Sequence, residues 1–443
     1  MIKRVAVLFL VTGAGYGFSV LALKYLAKNG DLAQVAAIGE LESLMQFLIG
    51  LIGFGMQTEA IRSISFSEDW RAQLGKAQQA RITFSLLLIF VSLFSFYNQY
   101  YLYFLLAPIV AFSSDYALYA RGFPLIGSSI SFVRVVVPLV SSLLAVFMAP
   151  RYLLLTYVVS SAVSYALTNA FISWYLKTPL FYIPRFSSLK LYLSTVPLGI
   201  INLCFYFFGL GLLMLVQFFF EEKELVVCFV ALKFYLIYKG AIRVIQQAFV
   251  NRMTEDAICL SVDHISIMMS VLFLGSILIF PSIFISLFFG EQFNSDYWFF
   301  VFLGFSAVAF SIFNSANTRA LLERQDKLFM KIALSAVLIT VIAFLFLFQF
   351  NKRVEVVTLS LLIGESFFTC LLAIRFFNWN QIMARISILL LCSIGLVLPW
   401  LVKYWLLENM LVYISSFGIL SMVMLLFSYK KLRMPEPSVD LNK

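Results

Sequence analysis

The sequence predicts an all-α, polytopic helical membrane protein of about 14 transmembrane helices, and two features carry that expectation. Of its 443 residues 62% are hydrophobic and 12% charged, against about 45–50% and 25% in soluble domains. No water-soluble interior hides that surplus. The apolar residues also come in runs close to the ~20 that cross a bilayer core. Stretches such as Leu86 to Phe96 and Val271 to Phe289 are continuously apolar, whereas a transmembrane β-barrel needs segments of about ten residues alternating with a polar lumen face.

Hydropathy places spans 1 to 6 near Val5 to Ala27, Val35 to Ile61, Ile82 to Tyr97, Tyr101 to Ala120, Leu125 to Met148 and Tyr152 to Leu176. After a polar stretch from Lys177 to Lys190, spans 7 to 12 lie near Leu193 to Phe220, Leu225 to Asn251, His264 to Phe289, Tyr297 to Ala320, Phe329 to Phe350 and Val354 to Phe377. Spans 13 and 14 follow near Ile386 to Leu406 and Met410 to Tyr429. Tight hairpins around Asn98 and Arg151 leave 12 or 13 as neighbouring counts. The opening MIKRVAVLFLVTGAGYGFSV is shaped like a signal peptide, but no soluble domain follows it, so it is read as an uncleaved first span.

Charge placement supports this map. Of the 32 Lys and Arg, 21 fall on connectors that share a side with the N-terminus, seven on the opposite connectors, and four (Arg134, Lys233, Lys239 and Arg243) inside spans. The positive-inside rule then puts both termini in the cytoplasm, for a multi-pass protein of the cytoplasmic (inner) membrane. The net charge of +10 is a topology signal, and no nucleic-acid partner is expected. No connector exceeds about 20 residues, which weighs against membrane glycosyltransferases, polymerases and ligases, whose catalytic surface lies outside the bilayer. No GxxxxGK[ST] occurs, so ATP-driven pumping is set aside. The five cysteines stand singly without CxxC spacing, and no metal, cofactor or catalytic residue is expected. Gly13 and Gly17, spaced as GxxxG, are read as close helix packing, and His264 as a solvated boundary residue.

An internal repeat organises the chain. Spans 1 to 3 open at Val5, Val35 and Ile82 and spans 7 to 9 at Leu193, Leu225 and His264, offsets of about 190; Gln57 then falls on Gln247 and Arg62 on Arg252. Six spans per half make a parallel repeat, a transporter layout. The expected division is an N-terminal six-helix lobe over 1–190, a C-terminal six-helix lobe over 191–378, and two further helices with a cytoplasmic tail over 379–443.

Helical geometry, at 100° per residue, gathers polar groups on one face of the first two spans of each half. Span 1 aligns Thr12, Tyr16 and Ser19; span 2 aligns Glu42, Gln46, Gly50, Gly53 and Gln57. Span 7 aligns Asn202, Tyr206, Gly209 and Gln217, and span 8 aligns Tyr235, Lys239, Arg243 and Gln246, with Lys233 to one side. A Lys or Arg at mid-helix costs about 2.5–3.5 kcal/mol on insertion scales, so something must offset it. Snorkelling is one account for Lys233 and Arg243, and an ion pair with Asp115 across the span 4 to 5 hairpin is one for Arg134. Glu365 in span 12 is read either as a proton carrier or as the structural partner of a cation.

The segments LALKYLAKNGDLAQVAAIGELESLMQFLIGLIGFGMQTEAIRSIS, DYALYARGFPLIGSSISFVRV and STVPLGIINLCFYFFGLGLLMLV make the chain resemble the polysaccharide flippases of the multidrug/oligosaccharidyl-lipid/polysaccharide exporter superfamily, which include O-antigen flippases. The resemblance covers nearly the whole chain. It implies two six-helix lobes forming a V around a central cavity lined by spans 1, 2, 7 and 8. It also implies a partner, a polyprenyl-diphosphate-linked oligosaccharide, moved between leaflets by alternating access for surface polysaccharide or lipopolysaccharide biosynthesis, with membrane lipids around it and a polysaccharide polymerase downstream. Lys239, Arg243, Lys233 and Arg134 would meet the diphosphate. Tyr16, Gln46, Gln57, Asn202, Tyr206, Tyr235 and Gln246 would line the sugar site, and Glu42, Glu365 and Asp115 would couple an ion gradient. The alternatives are a cation-coupled multidrug antiporter of the same superfamily, which would favour a carboxylate-centred cavity, and a membrane glycan polymerase.

Overall fold

The computed structural model describes residues 2–405 apart from 31, 57, 61–63, 65–67, 97–103, 250–252, 254 and 289–295. No β-strand occurs among the described residues. Among the described residues eight helices are long and apolar enough to cross a bilayer, or nine if the pair Tyr297–Ile312 and Ser315–Leu322, bent by 43°, is one span. Helices Ile2–Asn29, Trp70–Ser92 and Trp379–Trp405 lie on predicted spans 1, 3 and 13. Each of the first thirteen predicted spans thus carries helix, and the fourteenth, with the C-terminal tail, lies outside the described residues.

Several boundaries differ from the hydropathy reading, each for a physical reason. Span 3 begins at Trp70, not near Ile82, and carries Arg81 into the protein, where it is 2% exposed. Hydropathy stops at a charge, but a helix continues through one that finds acceptors inside the protein, as both terminal nitrogens of Arg81 do. Span 9 begins at Asp256, so His264 sits within a helix rather than at its edge, half-buried; the span ends at Ile279, because Pro281 opens a separate helix, Pro281–Phe288. In span 1 the tight glycine is Gly15, buried under the ring of Phe132 on span 5, while Gly17 is exposed with open space beside it. The GxxxG reading of Gly17 is therefore corrected.

The chain forms two compact units. The first comprises Met1–Val244, Ile285–Ser295 and Asp326–Leu338, and the second Ile245–Phe284, Asp296–Gln325 and Ile339–Lys443. In the first, one core gathers Leu74, Tyr116, Ile130 and Ile172, and another gathers Leu48, Ile52, Ile82 and Val110. In the second, Ile267, Val271, Leu274 and Val308 pack with Cys392 of span 13. Lipid tails are as apolar as leucine, so such cores hold helices by close packing, and polar contacts do more of the discriminating.

Those polar contacts concentrate where spans break, since an interrupted helix frees backbone groups that lipid cannot satisfy. Span 4 is interrupted between Ala107–Ala111 and Asp115–Ala120. Gln78 donates to the freed carbonyls of Phe112 and Ser113, both at 3.2 Å, and Arg81 donates to the Ser113 carbonyl and to that of Val110. Span 10 is interrupted at Phe313 and Asn314. There the polarity is reversed: Asp263 of span 9 accepts from the Ser315 backbone N–H at 2.7 Å and from its hydroxyl at 2.5 Å. Span 3 thus caps the break in span 4 with a cation on carbonyls, and span 9 caps the break in span 10 with a carboxylate on an N–H group.

Candidate functional site

Spans 2, 7 and 8 meet in the first unit around a set of polar side chains. Span 2 is the helix Leu32–Gly53 and span 8 the helix Glu222–Phe249. Span 7 is composite: Val196–Tyr206 runs into a π-type segment, Phe207–Gly211, and then Leu212–Val216. Within the segment Phe208 (ψ 21°) and Gly209 (φ −142°, ψ −126°) leave helical geometry. Gly209 also lets span 8 approach closely, since a β-carbon there would lie 2.5 Å from the end of the Leu236 side chain.

The carbonyls released by this segment are capped from both neighbours. Lys239 Nζ donates to the Phe208 carbonyl at 2.8 Å and lies 4.5 Å from the ring centre of the fully buried Tyr235. From the other side Ser43 Oγ donates to the Leu210 carbonyl at 2.7 Å, and Tyr206 Oη donates to the Ser43 carbonyl at 2.9 Å. A lysine ammonium in a span is thus held by a backbone acceptor and an aromatic face.

One turn from the point where Gly39 admits the ring of Phe229, Glu42 forms an ion pair with Lys233, both residues buried. The spacing follows from the helix: 39 to 42 and 229 to 233 are i,i+3 and i,i+4 steps on facing surfaces. Neither charge is tolerable alone at that depth of burial, and together they offset each other's desolvation. Glu42 Oε1 makes the pair; Oε2 is buried with no hydrogen-bond partner among the described residues.

The remaining predicted residues are distributed as follows. Arg134 pairs with Asp115 at 3.6 Å, donates to Thr168 Oγ1 at 2.9 Å and Asn169 Oδ1 at 2.8 Å, and stacks over Tyr165. The hairpin ion pair is therefore present. Gln46 is exposed and Asn202 half-buried in the first unit. Arg243, one turn beyond Lys239, is the exposed member of the four intramembrane cations and makes no ion pair among the described residues. Gln246 belongs to the second unit, where it donates to the Asn314 carbonyl at 2.9 Å, and Glu365 is buried in span 12 of that unit. The side chains of Tyr16 and Gln57 lie outside the described residues.

A pair that the sequence reading missed is the most enclosed of all. Arg385, counted there among loop charges, is 1% exposed on span 13 and donates from Nε to Asp263 Oδ2 at 2.6 Å, with Phe377 stacked 3.8 Å from its guanidinium carbon. The signal in the sequence is faint: Asp263 stands beside His264, between Ser261 and Ser266, just before the hydropathy edge of span 9, although a carboxylate inside a span calls for a named partner. Moving Arg81 and Arg385 out of the connector count leaves nineteen basic residues against seven, so the direction of the asymmetry stands.

A many-helix bundle with broken spans and paired charges inside its helices is the fold of a multi-pass helical membrane protein. Among solved structures the chain is similar to the lipid II flippase MurJ in its inward-closed conformation, with a TM-score of 0.66 and 14% identity over 96% of this chain and 99% of that one. It is also similar to a point mutant of a MATE protein (TM-score 0.57, 13% identity, 89% and 95% covered) and to the eukaryotic MATE transporter AtDTX14 (0.53, 16%, 87% and 97%). At these identities the likeness is one of fold. No family profile and no curated protein matches the chain in sequence.

Proposed function

We propose that the chain flips a polyprenyl-diphosphate-linked oligosaccharide from the cytoplasmic to the outer leaflet of a bacterial cytoplasmic membrane. It would do so by alternating access between the two repeat halves, for surface polysaccharide of O-antigen or capsule type. The observation that carries this reading is the charge balance in spans 2 and 8. The carboxylate of span 2, Glu42, is neutralised by Lys233, while Arg243 on span 8 is exposed without an ion pair among the described residues. A site with a surplus cation suits a diphosphate, to which a guanidinium offers two parallel hydrogen bonds. Lys239, fixed by the Phe208 carbonyl, adds positive potential one turn away. Gln46 and Asn202 supply amides for sugar hydroxyls, and the prenyl tail stays in lipid. No bond is made or broken, so the chain is a transporter and not an enzyme. The carboxylate of Glu42, with one oxygen unpartnered among the described residues, is the proposed coupling group.

The likeness to MATE structures supports a second reading, a cation-coupled multidrug antiporter. Expression in a bacterium that lacks its own polysaccharide flippase separates the two. Restored surface glycan supports the flippase, and resistance to cationic dyes without restored glycan supports the antiporter.

A further inference from the structure

The segment from 177 to 194, which joins the two repeat halves, lies along span 3 as a strap with two different faces. Over 181–183, outside any helix, exposure alternates: Phe181 and Ile183 are 69% and 76% exposed, while Tyr182 between them packs where a β-carbon on Gly75 would be 3.3 Å from its ring. Phe186 and Leu193 are 74% and 75% exposed on the same segment. The strap is fastened at Arg185, whose backbone N–H donates to Thr83 Oγ1 on span 3 at 2.9 Å. Exposed large apolar groups beside cations on a fixed segment are the pattern of a membrane-surface element, apolar groups in the acyl boundary and charges at the headgroups.

Where the strap crosses span 3 it borders an open cleft of about 360 Å³ formed by Lys76, Arg185 and Lys190 with Gln79, Ser187 and Ser188. None of the three cations forms an ion pair among the described residues, and no acidic side chain lines the cleft. A second cleft of about 350 Å³ at the start of the strap repeats the chemistry with Arg71, Arg121 and Lys177; Trp70 there lies between two guanidiniums at 5.2 and 5.1 Å. Three converging cations with amide and hydroxyl donors match a phosphate ester, and basic pockets between membrane helices are suited to acidic headgroups.

We infer that the Lys76–Arg185–Lys190 cleft binds the phosphate of an anionic membrane phospholipid, tying the strap between the halves to the lipid surface. This rests on the membrane-spanning fold and on the charge-based sidedness, and it is independent of which substrate the transporter carries. The same phosphate chemistry is offered by a soluble or substrate-borne diphosphate, and the test separates the sources.

The full-length protein in detergent is titrated with phosphatidylglycerol, with phosphatidylcholine and with inorganic pyrophosphate, and bound molecules are counted by native mass spectrometry. Phosphatidylglycerol should be retained over phosphatidylcholine. The triple variant Lys76→Gln, Arg185→Gln, Lys190→Gln should bind phosphatidylglycerol about 100-fold more weakly, from about five-fold per basic residue. Lys352→Gln with Arg353→Gln, which removes charge elsewhere on the surface, should leave binding unchanged. Equal retention of both lipids, or unchanged binding by the triple variant, overturns the inference. So does pyrophosphate that displaces the lipid and binds more tightly than it, which would assign the cleft to a diphosphate.

Discussion

Lys239 donates to the carbonyl of Phe208 at 2.8 Å, at the residue where span 7 departs from α-helical geometry. The ammonium and the helix break explain each other: the break supplies an acceptor that lipid would leave unsatisfied, and the acceptor gives a mid-span lysine a partner. Lys239→Met should therefore destabilise the purified protein by about 1.5–3 kcal/mol, the range for a hydrogen bond to a charged group. Lys239→Arg should retain most of that stability in a thermal melt in detergent. Equal melting of wild type and Lys239→Met would show the contact to be dispensable.

The buried pair of Glu42 and Lys233 predicts a non-additive result. Glu42→Gln and Lys233→Met each leave one charge uncompensated, and each should cost about 3–5 kcal/mol, while the double variant should recover most of the loss. A double-mutant cycle on thermal stability reads the coupling directly. Additive losses would mean that the two residues act separately.

In the second unit Asp263 both caps the break in span 10, through Ser315, and neutralises Arg385 of span 13. Asp263→Asn keeps the shape of the group but removes the charge, leaving a guanidinium that is 1% exposed without its carboxylate. The expected outcome is a fall of about 3–5 kcal/mol and faster hydrogen exchange in 315–322 and along span 13. Exchange confined to span 13 would show that the Ser315 contacts do not hold the break.

Much of the architecture is legible in the sequence, because span length and apolar run length are set by the same bilayer. The mid-span charges are legible too: Arg134, Lys233 and Lys239 all need partners, and Asp115, Glu42 and the Phe208 carbonyl are those partners. The identity of the partner is harder to read. The Asp115 pairing follows from a short hairpin, but the Phe208 carbonyl becomes an acceptor only when Gly209 unwinds, an event no hydropathy window registers. Arg81 and Arg385 look like connector charges for the same reason. A charge at the edge of an apolar run looks solvated until the tertiary contact that buries it is known.

The sidedness of the loops is open to a direct chemical check. With Cys370, the exposed native cysteine, replaced by serine, single cysteines at Arg71, Arg185 and Lys327 should resist an impermeant thiol reagent applied to intact cells, and one at Glu222 should react. Labelling of positions 71 and 222 from the same side would break the span map.

Translocation in proteoliposomes tests the flippase activity directly. A fluorescent polyprenyl-diphosphate oligosaccharide is incorporated with the purified protein, and its appearance in the opposite leaflet is followed by a membrane-impermeant quencher. The account predicts movement by the wild type and a loss of about ten-fold or more for Arg243→Ala, the size expected when a charged hydrogen-bonding partner is removed. It predicts partial activity for Arg243→Lys, whose point charge cannot form the bidentate contact. Undiminished movement by Arg243→Ala, or wild-type protein that carries organic cations but not the lipid-linked sugar, would contradict it.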